Sequence, residues 1–98
     1  MPKLTFKRNH SLSLDEAKIK VNALVDDFKS EYGRLLNSVK WAPDGLSASA
    51  DGKGFTGRFA VDTRTVLVEI DLSFLATPLK PKIEQRVDAR LDDTFGRA

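Results

Sequence analysis

The spacing of apolar and polar residues changes along the chain, and each spacing predicts one kind of element. Residues 3–8 alternate, with Leu4 and Phe6 on one side, which is the period of a half-buried strand. Between residues 14 and 32 the apolar positions recur every three or four residues, which is typical of an amphipathic helix. The members of this stripe are Ala17, Val21, Leu24, Val25, Phe28 and Tyr32.

Polar signals mark both ends of this predicted helix. Ser13 and Glu16 have the spacing of a capping box, in which each side chain accepts a hydrogen bond from the other residue's backbone N–H. Gly33 is a natural C-cap. Ile19 lies off the apolar stripe, so we expect it to be partly exposed.

Residues 39–72 alternate again and contain three turn signals. These are Pro43-Asp44-Gly45, Asp51-Gly52 and Asp62-Thr63-Arg64. Because short turns join antiparallel neighbours, the segment predicts a four-stranded meander with one buried face. The inward positions include Val39, Trp41, Ala48, Ala50, Phe55, Gly57, Phe59, Val61, Val66, Val68, Ile70 and Leu72.

The last segment returns to a helical period and ends at Gly96. Thr77-Pro78 and Lys80-Pro81 offer two starting points, and both prolines cannot occupy the first helical position, so we expect an irregular entry. The apolar residues recur every four positions, at Leu79, Ile83, Val87, Leu91 and Phe95.

Together these elements predict a single domain, residues 1–98, in the order β-α-β-β-β-β-α. Both helices have one apolar stripe and the strands share one apolar face. The predicted fold is therefore α+β with two layers: a four- to five-stranded, mainly antiparallel sheet with two helices on one face.

Composition narrows the classes of function. The chain of 98 residues has no cysteine and one histidine, which excludes thiol chemistry and speaks against a zinc site. Its 16 basic and 14 acidic residues are interspersed, which is not the clustering of a nucleic-acid binder. No apolar run approaches the roughly 20 residues of a membrane span. We therefore expect no nucleic-acid partner, transmembrane segment or signal peptide, and a cytoplasmic location.

Catalytic residues are hard to find in this chain. His10 next to Ser11 is the one pairing that could serve a hydrolase of hydroxyacyl esters. However, the serines near the first helix are explained as capping residues, and no separate nucleophile accompanies the histidine. We therefore expect no catalytic residue, no cofactor, no metal ion and no enzymatic activity.

The outward face of the predicted sheet is polar. RNA-binding sheets display stacking aromatic residues, but Trp41, Phe55 and Phe59 all belong to the inward register here. This face is either solvated or paired in a homodimer.

The apolar connection between the last strand and the last helix has two explanations. It closes the end of the core, or it forms an exposed patch that binds a partner or a hydrophobic surface. In the second case the binding residues are Phe74, Leu75, Pro78, Leu79 and Lys80.

A set of residues along nearly the whole chain carries a family resemblance. It comprises His10-Ser11-Leu12, Glu16-Ala17, Trp41, Gly57-Arg58-Phe59-Ala60-Val61, Leu72, Phe74-Leu75, Pro78, Lys80, Ile83 and Glu84. In order and spacing this set resembles the small proteins of the polyhydroxyalkanoic acid system, assigned to the polyhydroxyalkanoate granule region. The resemblance implies a role in bacterial storage-polymer metabolism, and it implies no catalytic residue.

Two hypotheses of function follow. The first is a non-enzymatic accessory protein that binds the granule surface or a granule-associated protein through residues 74–80. The alternative is a domain that binds a small hydrophobic ligand, such as an acyl chain, in a cavity between sheet and helices. Its lining would include Phe28, Trp41, Phe59 and Val87.

Overall fold

A computed structural model describes residues 3–96 and, within them, every side chain except that of Leu75. The elements in chain order are β1 (Lys3–Asn9), α1 (Leu14–Tyr32), β2 (Leu36–Trp41), β3 (Ser47–Gly52), β4 (Phe55–Val61), β5 (Thr65–Leu72), a 3₁₀ helix (Phe74–Leu79) and α2 (Lys80–Phe95).

The five strands form one antiparallel sheet in the order β1-β5-β4-β3-β2. Strands β2 to β5 form the predicted meander, and β1 pairs with β5, so that Phe6 lies opposite Val68. Because β1 and β2 are the two edge strands, α1 carries the chain across the sheet from one edge to the other. The predicted α+β fold and its element order are confirmed.

Helix α1 begins and ends where the sequence predicts. Ser13 Oγ accepts from the Glu16 N–H at 3.2 Å, and Glu16 Oε1 accepts from the Ser13 N–H at 3.4 Å, which completes the capping box. Gly33 is the C-cap, but its φ of −54° is right-handed rather than left-handed. Ile19 is 68% exposed, as its position off the stripe predicts.

Two of the three predicted turns form as expected, and one is displaced. Asp44 Oδ1 accepts from the Leu46 N–H at 2.9 Å, and Asp62 Oδ1 accepts from the Arg64 N–H at 2.8 Å. The Asp51-Gly52 turn was a wrong prediction, because Gly52 continues the ladder and pairs with Phe55. The reversal falls at the next two residues, 53 and 54, where a glycine has a φ of +88°.

Both proline signals before the last helix are used. Pro78 lies inside the 3₁₀ helix, and Pro81 lies in the first turn of α2, which is the irregular entry that the two prolines predict. Gly96 ends α2 with a φ of +81°, and its N–H donates to the Asp92 carbonyl at 2.8 Å.

Both helices pack their apolar stripes against the inward face of the sheet. The largest fully buried side chains are Leu24, Leu72, Leu91, Val21, Val66 and Val68. Arg8 also points inward from β1, where Nη2 donates to Asp88 Oδ1 at 2.8 Å and Nε donates to Asp92 Oδ1 at 3.2 Å. This ion pair joins the edge strand to α2.

Candidate functional site

The space between the two layers is not filled along its whole length. A cleft of about 320 Å³ opens between the end of α1, the start of α2 and the sheet. Its walls include Val25, Phe28, Tyr32, Ile83 and Val87, and its floor includes Ala50, Phe55, Gly57, Phe59, Ile70 and Leu72. Protein interiors are normally packed without spaces of this size, so the cleft is a feature to be explained.

Small residues in the floor create the cleft. Ala50 lies opposite Gly57, which lies opposite Ile70, so two small residues stand side by side on neighbouring strands. A Cβ atom added at Gly57 would lie 3.7 Å from the Glu69 carbonyl oxygen, an ordinary contact distance, so the missing side chain is not forced by crowding. The backbone therefore leaves room for a larger residue at this position of the floor.

The rim of the cleft is basic. Four cations line it, Lys29, Lys53, Lys82 and Arg86, and no aspartate or glutamate is among the described lining residues. Arg86 is already engaged, because Nη1 bonds to Glu31 and donates to Tyr32 Oη at 3.2 Å. The Tyr32 hydroxyl and the Glu31 carboxylate raise the pKa of Arg86 above its usual value.

The three lysines differ from the arginine in forming no ion pair with a described acidic side chain. Within the part of the chain that the structure describes, all ion pairs shorter than 4.0 Å involve other cations. All three side chains are exposed, and they come from α1, from the turn between β3 and β4, and from α2. Positive charge therefore surrounds the mouth of the cleft from three elements.

The segment that the sequence singles out lies beside this mouth. Phe74 is 85% exposed and Leu79 is 53% exposed, so neither of these two side chains closes the core, whereas Ala76 packs against it. Pro78 is exposed and Lys80 is half-buried, while the side chain of Leu75 lies outside the described structure.

Hydrogen bonds fix this segment against the sheet. The Ser73 N–H donates to the Gly54 carbonyl at 2.8 Å, and Thr77 Oγ1 donates to the Ser73 carbonyl at 3.1 Å. Ala76 and Leu79 reach the cleft and line it. The 3₁₀ helix thus presents Phe74 to solvent on a held backbone.

Three of the four residues predicted to line a cavity do so. Phe28, Phe59 and Val87 line the cleft. Trp41 does not, because it lies at the edge of the sheet opposite Ala48, where it packs half-buried against the core. The alternation of residues along β2 correctly predicts that Trp41 faces inward, but it does not predict how far the cleft extends between the two layers.

His10 has an architectural role. Its Nδ1 accepts from the Leu12 N–H at 3.2 Å, so the proton is on Nε2, which donates to the Asp62 carbonyl at 2.8 Å. Both ring nitrogens are therefore occupied by backbone groups, which leaves neither of them to activate Ser11.

The outward face of the sheet carries a ladder of ion pairs. Glu69 on β5 lies 3.1 Å from Lys3 Nζ on β1 and accepts from Arg58 Nη2 on β4 at 2.9 Å. The hydrogen bonds from Arg58 and then from Lys3 hold the pKa of Glu69 below its usual value. Pairing of this face in a homodimer stays a prediction.

Residues 3–96 contain no candidate metal site and no candidate membrane-spanning helix. No group of three acidic or histidine side chains in this range is placed to hold a metal ion. Neither of the helices described there is long and apolar enough to cross a membrane.

Comparison with known proteins places the chain in a family. It matches the family model described as "Putative polyhydroxyalkanoic acid system protein (PHA_gran_rgn)" over residues 4–95. No curated protein and no solved structure matches it significantly. Because the family model spans nearly the whole chain, the protein belongs to the family of polyhydroxyalkanoic acid system proteins, as the resemblance predicts.

Proposed function

We propose that this protein is a non-enzymatic accessory protein of the polyhydroxyalkanoate storage system, working in the bacterial cytoplasm and binding the granule surface through residues 74–80. The observation that carries the proposal is the exposure of Phe74, at 85%, on a backbone that is held in place. Membership of the family supplies the storage-system context.

The chemistry of the segment suits an apolar surface bordered by water. Proteins attach to such surfaces by burying exposed apolar side chains while basic side chains stay at the polar boundary. Phe74 and Leu79 supply the apolar part, and Lys80 follows directly in the chain. A single exposed apolar residue is common on proteins, whereas this short helix has one at each end.

Sedimentation with isolated granules tests this proposal. The Phe74→Asp variant should lose most of its binding, because a carboxylate would have to leave water at the granule surface. The matched control is Ile19→Asp, which changes another exposed apolar residue to the same acid on α1, away from the segment. The control should sediment like the unmodified protein.

Two other outcomes of the sedimentation experiment would contradict attachment through residues 74–80. If Phe74→Asp folds normally by circular dichroism and still sediments fully with granules, residues 74–80 are not the attachment segment. Equal losses in both variants would mean that general surface charge, rather than this segment, governs attachment.

A second candidate function is the binding of a free acyl chain in the cleft. The cleft itself favours it, because its walls and floor are almost entirely apolar and it opens to solvent. Thermal denaturation in the presence of alkyl alcohols of increasing length tests this candidate. A rise in melting temperature with chain length is expected, and a flat response would count against it.

A further inference from the structure

The interior of the cleft is apolar and its rim is basic, and together these two properties indicate which class of ligand it binds. We infer that the cleft takes a free acyl chain with a carboxylate at one end, its tail on the floor and its head among Lys29, Lys53 and Lys82. The inference rests on the second candidate function and adds the charge of the ligand to it.

The interior of the cleft accepts the tail but not the head. Small and apolar residues form the floor, with Ala50 and Gly57 at its centre and Phe28 above them. A carboxylate buried there would have no partner, which is strongly unfavourable. The volume of about 320 Å³ lies at the small end of the range for ligand sites, which fits one slender chain.

The rim supplies what the carboxylate needs. The two arginines near the cleft have counter-ions, since Arg86 pairs with Glu31 and Arg90 pairs with Asp27 and Glu31. Lys29, Lys53 and Lys82 have no such partner, although the whole chain is nearly balanced with 16 basic and 14 acidic residues. Cations without a described carboxylate partner that line one apolar cleft attract an anion and favour binding with its tail inward.

This arrangement distinguishes a free acid from the polymer. A chain inside a polyester is neutral along its length, so it would gain little from three cations at the rim. A free acyl carboxylate matches both the interior and the rim. The occupant to which the cleft is best suited is therefore the free acid rather than a segment of the polymer.

Titration calorimetry with three probes that share one alkyl chain tests the inference on the whole protein. The probes are decanoate, decanol and decylamine, with decanoate and decylamine kept below their micelle concentrations and decanol below its solubility limit. Decanoate should bind about fivefold more tightly than decanol, since exposed ion pairs are individually weak. Decylamine should bind most weakly, and added salt should reduce the preference for decanoate.

A triple variant tests whether the three lysines cause the preference for decanoate over decanol. Changing Lys29, Lys53 and Lys82 to glutamine should bring decanoate to the affinity of decanol and leave decanol binding in place. The matched control changes Lys7, Lys18 and Lys20 to glutamine, which alters the net charge equally at lysines that do not line the cleft. The control should keep the preference for decanoate.

The possible failures are distinguishable. Equal affinity for all three probes, or tightest binding of decylamine, would overturn the anionic head and leave an acyl-chain cleft. Absence of binding by all three probes would overturn both the inference and the second candidate function. Granule attachment through residues 74–80 is judged separately by sedimentation.

Discussion

The space between the helices and the sheet is filled by side chains at one end and is open to solvent at the other. The closed end is defined by Arg8, Ala17, Val61, Val66 and Leu91, all buried. The open end is defined by Ala50, Gly57, Ile70 and Ile83, which line the cleft. Since both ends are built from the same two helices and the same sheet, the difference lies in side-chain size and in one ion pair.

That difference in packing supports our proposal that a ligand binds at the open end. At the closed end, branched side chains fill the layer and Arg8 bonds α2 to the edge strand. At the open end, small residues leave apolar surface uncovered, which sacrifices burial that would have stabilised the fold. A small domain has little stability to lose, and the open end is therefore where we propose that a ligand binds.

The largest effect is expected from truncating leucine at the closed end. Leu91→Ala should lower the free energy of unfolding by about 3 kcal/mol, because the side chain is almost fully buried and leaves a cavity. Leu79→Ala, at the mouth of the open end, should cost less than about 1 kcal/mol, because Leu79 is half exposed. Urea denaturation measures both, and equal losses would show that the two ends are packed alike.

The next largest loss of stability is expected from removing the ion pair between Arg8 and α2. Arg8→Met should destabilise the protein by about 2 kcal/mol, a value reduced from that of a fully buried pair because Asp88 is 46% exposed. Arg58→Met is the control, since it removes an exposed cation from the outward face, and it should leave the denaturation midpoint almost unchanged. A small effect at Arg8 would mean that packing alone closes that end.

Enlarging alanines should change the stability of the two ends with different sign, and the change at the open end should be the smallest of all. Ala17→Leu should destabilise by about 2 kcal/mol, because the residue is fully buried and the added carbons have no space. Ala50→Leu should be neutral or stabilise by up to about 1 kcal/mol, because its side chain would extend into the cleft. It should also abolish binding of decanoate. A strongly destabilised Ala50→Leu variant would mean that the cleft is already filled.

The parts of the fold that the sequence predicts correctly are those set by residues close together in the chain. The bounds of α1 follow from a capping box and a stripe that lie within neighbouring turns. The displaced turn shows the limit, because Asp51-Gly52 and Lys53-Gly54 are equally plausible reversals and only pairing across the strands selects the second. The sequence left the exposure of Leu79 open, because its four-residue spacing to Ile83 also fits the apolar stripe of the last helix, and this spacing spans the junction of two helices of different pitch.

The candidate site was harder to predict than the fold. For the segment that contains Phe74, the sequence left two explanations open, and the exposure of Phe74 fits the one in which the segment forms a surface patch. The three lysines of the rim could not be grouped from sequence, since they lie on three separate elements that only the fold brings together. The available signal was the inward pairing of Ala50 with Gly57, two small residues at adjacent core positions.

Amide chemical shifts during titration with decanoate test the central claim most directly, because the probe reports on every part of the layer at once. Shifts should concentrate at the open end, at Gly57, Ile70 and Ile83, and be absent at Val61 and Leu91 of the closed end. Shifts spread evenly over both ends, or largest at the closed end, would contradict the account that one end of this layer is kept open to bind a ligand.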